Sequence, residues 1–598
     1  GRCVEGCPAG AVKLGQKLCT KDGPVEYPRQ ELPDAVKWGP EKWAIDYRDK
    51  NRVNCYDTGT APCKTACPAH IAVQGYLKLA AQGKYREALQ LIKRENPFPA
   101  VCGRICNRRC EDACTRGTVD QAVAIDEVKR FIAQQDLDAA TRFVPEKVIP
   151  KVDGEFDQQI AIIGGGPAGL SCAYYLAEKG YRPTVFEKER RLGGMLENGL
   201  PSFRLEKDVV QAEIDVLREM GVQFRCGVEV GKDVTIAQLR EQGYQGFYVA
   251  VGLQSGGRLN IPGDDAQGVT AGIDFMRRVN GGQETKLEGR VVVIGGGNIA
   301  ADVARTAVRC GAESVDLYCL ESYDDMPMGP EDRGECERDG ITIHAGWGQT
   351  EIVTENGHAA GIRFRKCLRV KNDQGRFAPE FDDNDTCQAQ CAAVLYCIGQ
   401  KVDWRQLLTG TAVTFNPNGT AQVDPVTYQT AEPGIFAGGD AVTGQKFAID
   451  AIAAGKEGAI SLHRFVQKAT LTIGRNRRQF VELDKENALI PVGFDNTPRQ
   501  QIGYNEALRR TFRDERIAFT AEQVQKETAR CLSCGASVVD PNKCIGCGVC
   551  TTKCAFDAIH LHRERPECTH MIPAEDKMKA ILPYMVKREI KIRKAGKK

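Results

Sequence analysis

The sequence predicts an α/β fold in which one Rossmann-like domain is inserted into another, with a small α-helical domain before them and a small cysteine-rich domain after them. From Gln159 onward, short apolar strands alternate with helices, and two glycine fingerprints each follow a strand and open a helix. The 26 cysteines of this 598-residue chain gather near both ends. Cysteines bunched in this way indicate metal sites in the flanking domains.

Composition excludes several classes of protein. The 81 Lys and Arg residues nearly balance the 79 Asp and Glu residues, for a net charge of +2, so we expect no binding to nucleic acid or to an acidic membrane surface. The long uncharged run at residues 160–177 holds a glycine fingerprint and therefore does not predict a membrane span. No secretory signal is recognised, and we expect a cytoplasmic protein with reduced thiols.

The first fingerprint follows the strand QQIAII and opens the helix AGLSCAYYLAEKG. Such a turn needs glycine, a dinucleotide pyrophosphate sits on the helix N-terminus, and an acid at the end of the next strand binds a ribose hydroxyl. Further along, an apolar strand runs into a Gly-Asp pair beside a helix start, which suits the ribityl chain of a flavin. We therefore predict an FAD domain over residues 155–287 and 393–475, with Gly164, Gly166, Gly169, Glu187, Gly193, Gly194, Gly439 and Asp440 at the cofactor.

The second fingerprint, Gly295, Gly297 and Ala300, lies inside the span of the FAD domain. It predicts an NAD(P)-binding domain over residues 288–392 that is inserted in the FAD domain. This arrangement resembles the flavoprotein reductases with two dinucleotide domains, in which a nicotinamide delivers hydride from C4 to flavin N5. That transfer needs no side-chain acid or base, so no catalytic residue is predicted. Residues 250–252 and 397–400 match the crossover segments of that family.

The strand SVDLYC predicts the choice of nicotinamide nucleotide, because it runs into Leu320 and Glu321. In the NADPH-using relatives that this domain resembles, a pair of arginines stands there and meets the 2′-phosphate. A carboxylate accepts a hydrogen bond from a free ribose hydroxyl and repels a phosphate, so we expect NAD(H) to be favoured over NADP(H). Ala300 is a weaker sign for NADP. The alternative is a solvated Glu321, with Arg305 or Arg309 serving the phosphate.

Residues 53–145 combine a helical pattern with a group of cysteines. They resemble the helical double-cluster domain of the glutamate synthase small subunit, of the N-terminal part of dihydropyrimidine dehydrogenase, and of the large subunit of NADH-dependent ferredoxin:NADP oxidoreductase. The resemblance extends from about Asn54 to Cys534 and takes in GLPSFRL at residues 199–205. It implies two 4Fe-4S clusters, one on Cys55, Cys63 and Cys114 and the other on Cys67, Cys106 and Cys110.

Each of these two clusters lacks a fourth ligand. Thr58 stands where the family has a cysteine for the first cluster, and Lys129 aligns near the polar ligand of the second. Asp126, Glu127 and Cys102 are the substitutes to consider. A single cluster, a zinc site or no metal remain alternatives, although the spacing lacks the two clean CxxC pairs typical of zinc.

The C-terminal run CIGCGVCTTKC has the C-x2-C-x2-C-x3-C spacing of ferredoxins, with Cys544, Cys547, Cys550 and Cys554 as ligands. Cys531 and Cys534 form an incomplete first half, so a ferredoxin-like 4Fe-4S domain is predicted over 531–570. Whether these two serve a second cluster, with help from Cys568, or a zinc ribbon with residues 544 and 547 stays open. Residues 476–530 are predicted to be a connecting segment between the FAD domain and the ferredoxin-like domain. Residues 571–598 are predicted to form a basic tail that is either solvated or used for docking.

The chain opens with Cys3 and Cys7 followed by Pro8, which match the end of the same ferredoxin run. We therefore expect residues 1–20 to be the remnant of another ferredoxin-like unit, with two further cysteines upstream of Gly1, and residues 21–52 to be a linker. Three or four 4Fe-4S clusters would then be present in all.

These features together predict a subunit of a flavin and iron-sulfur oxidoreductase. NAD(P)H would exchange a hydride with FAD, and the clusters would pass single electrons to a redox partner subunit or to ferredoxin. Electron bifurcation is a refinement of this hypothesis. The alternatives are a glutamate synthase small subunit and an electron-wiring scaffold whose nucleotide sites are vestigial.

Overall fold

The computed structural model describes residues 12–14, 19–20, 23–24, 61–146, 156–283, 285–473, 475, 494–534, 537–539, 545–553, 561 and 574–595. The chain divides into a main unit, Gly15–Tyr27 with Thr58–Ala536, and a second unit, Gly1–Leu14 with Pro28–Asp57 and Ser537–Lys598. This division differs from the predicted domain start at residue 531, because residues 531–534 pack within the main unit. Five predicted cluster ligands lie outside the described residues: Cys3, Cys7, Cys55, Cys544 and Cys554.

A helical domain occupies residues 61–136 of the main unit. Its helices are Pro62–Thr65, Val73–Ala81, Tyr85–Lys93, Pro99–Ile105, Arg109–Asp112 and Ile125–Ala133, with 3-10 turns at Thr115–Thr118 and Gln134–Asp136. Apolar side chains at helical spacing, among them Leu89, Ile92, Val128 and Ile132, form its buried face. A short antiparallel pair, Cys19–Thr20 with Gly23–Pro24, also belongs to the main unit.

The first Rossmann-like domain contains a parallel sheet with the described strands in the order Ile435–Ala437, Tyr244–Val249, Gln159–Ile163, Thr184–Glu187 and Gln223–Cys226. The central strand is an almost continuous apolar run, as expected for a sheet that is covered on both faces. The helix Pro167–Glu178 follows this strand and packs against the long helix Ala448–Val466. Shorter helices of this domain are Met195–Asn198, Lys207–Glu219, Ile236–Glu241 and Asp440–Thr443.

The inserted domain contains a second parallel sheet, with the described strands in the order Thr342–Ala345, Ser314–Cys319, Arg290–Ile294, Ala393–Tyr396 and Val269–Ala271. Its helices are Gly272–Asn280, Asn298–Arg309 and Pro330–Arg338. The domain therefore extends beyond the predicted 288–392 on both sides. The reason is that two very short strands, which carry little pattern in the sequence, pair in parallel with this sheet.

An antiparallel sheet of Trp347–Glu355, His358–Lys371 and Phe377–Gln390 covers one face of the inserted domain. Its residues Ile362 and Phe364 pack in one core with Val292 and Tyr318 of the parallel sheet. Where the chain passes between the two Rossmann-like domains, Ser255–Gly256 pairs with Gln400–Lys401. The first of these strands begins three residues after the predicted crossover segment 250–252, and the second overlaps the predicted segment 397–400 only at Gln400.

The segment 494–534 follows a defined path across the main unit. It contains the strands Gly503–Tyr504 and Arg516–Ile517, a 3-10 turn at Glu506–Leu508 and the helix Ala521–Ala529. Arg516 Nη1 donates to the carbonyl of Arg104 in the helical domain at 3.1 Å, and Arg309 Nε of the inserted domain donates to the carbonyl of Thr511 at 2.7 Å. The predicted connecting segment therefore holds parts of the main unit together.

In the second unit, the strand Val12–Leu14 pairs antiparallel with Ser537–Val539. The helices described there are Val549–Lys553 and Lys577–Ala595, with a 3-10 turn at Ala574–Asp576. Within the described parts of the chain, no helix has both the length and the apolar character needed to cross a membrane.

Candidate nucleotide and iron-sulfur sites

The first glycine fingerprint forms a turn that has no room for side chains. Gly164 has a φ of +110°, and a Cβ there would lie 2.4 Å from the carbonyl oxygen of Ala250. A Cβ on Gly169 would lie 2.0 Å from the carbonyl oxygen of Gly164. The helix Pro167–Glu178 begins directly after Gly166, so its N-terminus is positioned to hold a phosphate. The turn therefore fits a dinucleotide pyrophosphate.

Glu187 meets this turn from the end of the neighbouring strand. Its Oε2 accepts a hydrogen bond from the N–H of Gly165 at 2.6 Å, and its Oε1 accepts one from the N–H of Glu189 at 2.9 Å. Burial raises the pKa of the Glu187 carboxyl, and these two N–H groups oppose that shift. A carboxylate held in this position can also accept hydrogen bonds from ribose hydroxyls.

The two glycines after this strand also lie against the fingerprint. Gly193 donates its N–H to the carbonyl of Gly165 at 2.8 Å. Gly194 has a φ of +56°, and a Cβ there would lie 2.9 Å from the Cα of Gly166. The loop and the fingerprint can approach this closely because both are glycine at the point of contact.

Asp440 opens a short helix at the end of the last strand of the first sheet. Gly439, just before it, has a φ of +70°, which favours glycine. Burial raises the pKa of the Asp440 carboxyl to about 6, while the N–H of Lys446, at 3.2 Å from Oδ1, lowers it. The side chain is thus a half-buried acceptor, which suits the predicted role at a ribityl chain.

The second fingerprint repeats the first in the inserted domain. Gly295 has a φ of +139°, and a Cβ there would lie 2.7 Å from the carbonyl oxygen of Cys397. A Cβ on Gly296 would lie 2.7 Å from Oε2 of Glu321. A Cβ on Gly297 would meet nothing within 4 Å, whereas Ala300 is fully buried in the domain core. Room for a pyrophosphate therefore exists at the start of the helix Asn298–Arg309.

One cavity of about 840 Å³ joins the two fingerprints. Gly164, Gly194 and Asp440 line it from the first domain, and Gly297 and Asp302 line it from the inserted domain. Two nucleotides bound at the two turns would share this space. The residues present therefore fit both FAD and a nicotinamide nucleotide.

Arg305 and Arg309, the residues that would serve a 2′-phosphate if Glu321 were solvated, do not line this cavity. Arg305 Nε lies 2.8 Å from Asp339 Oδ2, and Arg309 Nη1 lies 2.7 Å from the same oxygen. The Arg309 guanidinium also stacks 4.0 Å from the centre of the Phe203 ring. Both arginines are neutralised inside the protein, which argues against their serving a 2′-phosphate.

Sequence reasoning did not identify an ion pair that lines the cavity. Arg204 Nε lies 2.7 Å from Asp302 Oδ1, and both residues line the shared cavity. Burial raises the pKa of the Asp302 carboxyl to about 6, although Arg204 lowers it. Arg204 also pairs with Asp332 of the inserted domain. The pair therefore connects the GLPSFRL segment to the inserted domain, a link for which the sequence offers only the family resemblance.

Four cysteines from two distant parts of the main unit lie near one another. Burial raises the pKa of the Cys63 thiol, and the neighbouring thiols of Cys531, Cys114 and Cys534 raise it further. This grouping differs from the sequence prediction, which placed Cys63 and Cys114 with Cys55 and placed Cys531 and Cys534 in the C-terminal domain.

A second group consists of Cys67, Cys106 and Cys110 around the buried side chain of Lys129. Burial raises the pKa of each of these three thiols, and the Lys129 ammonium group lowers it. Lys129 forms an ion pair with the buried Asp126. The predicted trio is therefore together, and a lysine stands where the resemblance places the fourth ligand.

The structure also describes Cys102 and Glu127, two residues considered above as the fourth ligand of the second cluster. Cys102 is buried close to Cys106. Glu127 is paired with Arg108, with 3.2 Å between Oε1 and Nη2. No three His, Cys, Asp or Glu side chains of the described residues are close enough to share one metal ion. That spacing is compatible with 4Fe-4S clusters, because each cysteine of a cubane binds a different iron.

In the second unit the described ferredoxin cysteines are Cys547, which is exposed, and Cys550, which is buried. Cys550 lies on the helix Val549–Lys553. Gly546 and Gly548, on either side of Cys547, have φ values of +66° and +74°.

Three family models match the chain. Residues 158–455 match the pyridine nucleotide-disulphide oxidoreductases, residues 46–141 match dihydropyrimidine dehydrogenase domain II with its 4Fe-4S cluster, and residues 537–560 match a 4Fe-4S binding domain. Together with the two glycine turns, these matches define a class: this is an NAD(P)H-dependent oxidoreductase that uses FAD and 4Fe-4S clusters.

Among curated relatives, the NADP(+)-dependent formate dehydrogenase subunit beta of Moorella thermoacetica is 34% identical over 504 residues, which cover 79% of this chain and 70% of the relative. The NADPH-Fe(3+) oxidoreductase subunit beta of Geobacter sulfurreducens is 29% identical over 80% of this chain and 75% of its own length. The glutamate synthase [NADPH] small chain of Escherichia coli is 31% identical over 69% of this chain and 90% of its own length. A solved structure of Mycobacterium tuberculosis FprA is 16% identical, covers 63% of this chain and 100% of its own, and has a TM-score of 0.45.

The chain belongs to the family that contains the glutamate synthase small chains and the beta subunits of NADPH-dependent oxidoreductases. The resemblance predicted from the sequence is thereby confirmed, as are the fold class, FAD and the 4Fe-4S clusters. The relatives' names specify NADP(+) or NADPH and lend no support to the predicted preference for NADH.

Proposed function

We propose that this chain is the NADH-oxidising subunit of a multisubunit enzyme, in which FAD takes a hydride from the nicotinamide and 4Fe-4S clusters carry single electrons to a partner subunit. The observation that carries this proposal is the single cavity lined by both glycine turns. Hydride transfer requires the two rings to touch, and a shared cavity allows that contact. The cluster domains that precede and follow the cavity-forming domains in the sequence would supply the onward route.

In this reaction the residues of the chain bind and orient the two nucleotides. FAD, when bound, accepts the hydride pair and releases its electrons one at a time. The turn at Gly164 binds the flavin pyrophosphate, Glu187 its ribose and Asp440 its ribityl chain. The turn at Gly295 binds the nicotinamide nucleotide, with Glu321 at its ribose. No side chain needs to give or take a proton during hydride transfer. The protein therefore contributes by binding the nicotinamide nucleotide and orienting it against the flavin.

The relatives' names support the partner subunit. Two are called subunit beta and one is called small chain, so each belongs to a larger enzyme. By analogy, electrons from this chain would leave for a second polypeptide that carries the terminal reaction. Ferredoxin is the alternative acceptor.

A glutamate synthase small subunit is the second candidate function. The E. coli small chain matches over 90% of its own length, which favours this assignment for the central domains. However, that match covers 69% of this chain, and the 4Fe-4S match at residues 537–560 is an additional cluster domain. Glutamine-dependent glutamate formation, with a large amidotransferase chain that co-purifies, would establish this second function instead of the first.

Anaerobic titration of the purified holoenzyme with NADH tests the main proposal. The flavin absorbance should bleach first and the broad cluster absorbance next, because hydride enters at the flavin and single electrons follow. Dithionite serves as the control that reduces all centres without the nucleotide site. A flavin that stays oxidised with NADH and with NADPH, but is reduced by dithionite, would refute the proposal.

A further inference from the structure

The turn at residues 531–534 is held in the helical domain by buried charges. Arg530 is fully buried, its Nη2 lies 3.0 Å from Asp120 Oδ1, and its Nη1 lies 2.7 Å from Glu527 Oε1. Arg116 of the helical domain donates from Nη1 to the carbonyl of Arg530 at 3.1 Å. The buried charge of Arg530 is compensated only while residue 530 stays beside these two carboxylates, so the position of the turn is strongly fixed.

The other end of the turn is fixed as well. Gln74 Nε2 donates to the carbonyl of Cys534 at 2.7 Å. Leu532 and Cys534 pack with Ala61, the residue before the first described helix of the domain. Both cysteines therefore enter the helical domain from a segment that is more than 400 positions away in the sequence.

Cys531 and Cys534 have the surroundings expected of residues that bind an iron-sulfur cluster. Cys63 packs against the same apolar cluster as Cys534, and the thiols of Cys114 and Cys531 are neighbours of the Cys63 thiol. The Ser533 N–H donates toward the sulfur of Cys531. Such N–H groups stabilise cluster-bound thiolates and tune the reduction potential.

We propose that Cys63, Cys114, Cys531 and Cys534 are the four ligands of one 4Fe-4S cluster. The segment 494–534 then completes the cluster of the helical domain, and Cys55 is not needed. This explains why the helical domain lacks a ligand at Thr58, because the missing cysteines come from the other end of the main unit. The inference deepens the proposed function, since it names the ligands of one centre on the electron route.

Iron analysis and electron paramagnetic resonance of single variants test the proposal. Cys531→Ser and Cys534→Ser should each lose about four iron atoms per chain, together with one reduced-cluster signal. Cys55→Ser and the exposed control Cys226→Ser should retain both. Retained iron and an unchanged spectrum in Cys531→Ser, combined with loss in Cys55→Ser, would overturn the ligand set. One zinc per chain that disappears in Cys531→Ser would overturn it too.

A second test measures cysteine alkylation in the parent holoenzyme, so its result does not depend on whether a variant folds. Alkylation with iodoacetamide, followed by mass spectrometry, should label Cys226 at once and leave residues 531 and 534 unlabelled. After oxidative removal of iron, Cys63, Cys114, Cys531 and Cys534 should become reactive together. Labelling of residues 531 and 534 at the same rate before and after iron removal would overturn the proposal. Flavin reduction by NADH, measured in the same samples, reports separately on the proposed function.

Discussion

Glu321 lies against the backbone of Gly296, at a distance of 2.7 Å between its Oε2 and the position that a Cβ would occupy. The flavin domain has the same relationship, because a Cβ on Gly165 would lie 3.1 Å from Oε2 of Glu187. In each domain the acid stands at the end of the strand after the fingerprint helix, or just beyond it, and it lies against the middle glycine of the fingerprint. This equivalence supports the placement of Glu321 at the ribose of the nicotinamide nucleotide.

The first prediction is that the enzyme prefers NADH by at least ~10-fold in kcat/KM, about 1.4 kcal/mol. A carboxylate at this position accepts a hydrogen bond from the free 2′-hydroxyl and repels a 2′-phosphate. Glu321→Arg should shift the preference toward NADPH, measured with an artificial electron acceptor. Glu355→Arg makes the same charge change at an exposed position of the inserted domain and should leave the ratio unchanged. Equal use of both nucleotides by the parent, or no shift in Glu321→Arg, would remove Glu321 from the site.

The second prediction concerns flavin affinity. Glu187→Gln keeps the size of the side chain but replaces one acceptor oxygen with a donor, so the two N–H groups and the ribose can no longer all be satisfied. We expect FAD to bind roughly 10-fold more weakly, as for the loss of one hydrogen bond to a charged group. Fluorescence quenching on addition of FAD to the deflavinated enzyme measures this. Glu189→Gln, at an exposed neighbour, is the control, and equal affinities in the two variants would contradict the assignment.

The two glycine turns could be predicted from the sequence because their glycines answer to local constraints. Gly164 and Gly295 need a positive φ and a bare Cα whatever surrounds them, so the fingerprint is visible in a few residues. Domain edges were less predictable. The strand Val269–Ala271 belongs to the inserted sheet only through its pairing with Ala393–Tyr396, a long-range contact that has no local pattern.

The placement of Cys531 and Cys534 was not predictable for a related reason. Their CxxC spacing and their nearness in sequence to the ferredoxin run grouped them with that run. Their actual position is set by the burial of Arg530 against Asp120 and Glu527, which the sequence does not reveal. Charged residues are seldom fully buried, so a sequence pattern assigns such an arginine to the surface.

The third prediction is a pH dependence of stability. Glu213 accepts hydrogen bonds from the N–H groups of Ala100 at 2.7 Å and Val101 at 2.9 Å, at the start of the helix Pro99–Ile105. Burial raises the pKa of its carboxyl to about 8, with Asp136 adding to the shift. The folded state therefore holds this proton more tightly than the unfolded state. The stabilisation is complete below the unfolded pKa and is lost as the pH rises through about 8.

Glu213→Gln should remove this dependence. Between about pH 5 and pH 8, the parent's free energy of unfolding should fall more steeply than that of the variant, by up to about 1.4 kcal/mol per pH unit. Thermal midpoints of the two holoenzymes across this range give the comparison. Glu241→Gln, at an exposed carboxylate of the same domain, should retain the parent's slope. Parallel profiles for the parent and Glu213→Gln would show that residue 213 does not titrate with a raised pKa.

The fourth prediction separates the ferredoxin-like cluster from the flavin. Cys547→Ser should lower the iron content by about four atoms out of about 12 to 16 and leave FAD bound. The reason is that residue 547 belongs to the second unit, whereas both glycine turns belong to the main unit. Iron and flavin are measured on the same samples, with Cys226→Ser as the control. Flavin lost together with the iron would contradict this separation.

The last prediction concerns Lys129, which is buried among Cys67, Cys106 and Cys110 and is paired with Asp126. Three thiolates and a cluster would carry negative charge into a buried site, and an ammonium group beside them offsets part of it. A cation at this distance favours the reduced, more negative state of the cluster. Removing it should therefore lower the reduction potential of that one cluster.

Lys129→Gln tests this effect while keeping a polar side chain of similar length. We expect the potential of one cluster to fall by about 60 mV, the one-electron equivalent of about 1.4 kcal/mol, in a titration followed by electron paramagnetic resonance. Lys84→Gln, just before the helix Tyr85–Lys93 of the same domain, is the matched control. The potential of the cluster bound to Cys531 should not move in either variant. If Lys129→Gln shifted no potential and retained all its iron, Lys129 would not face a cluster, and Cys67, Cys106 and Cys110 would be thiols without iron.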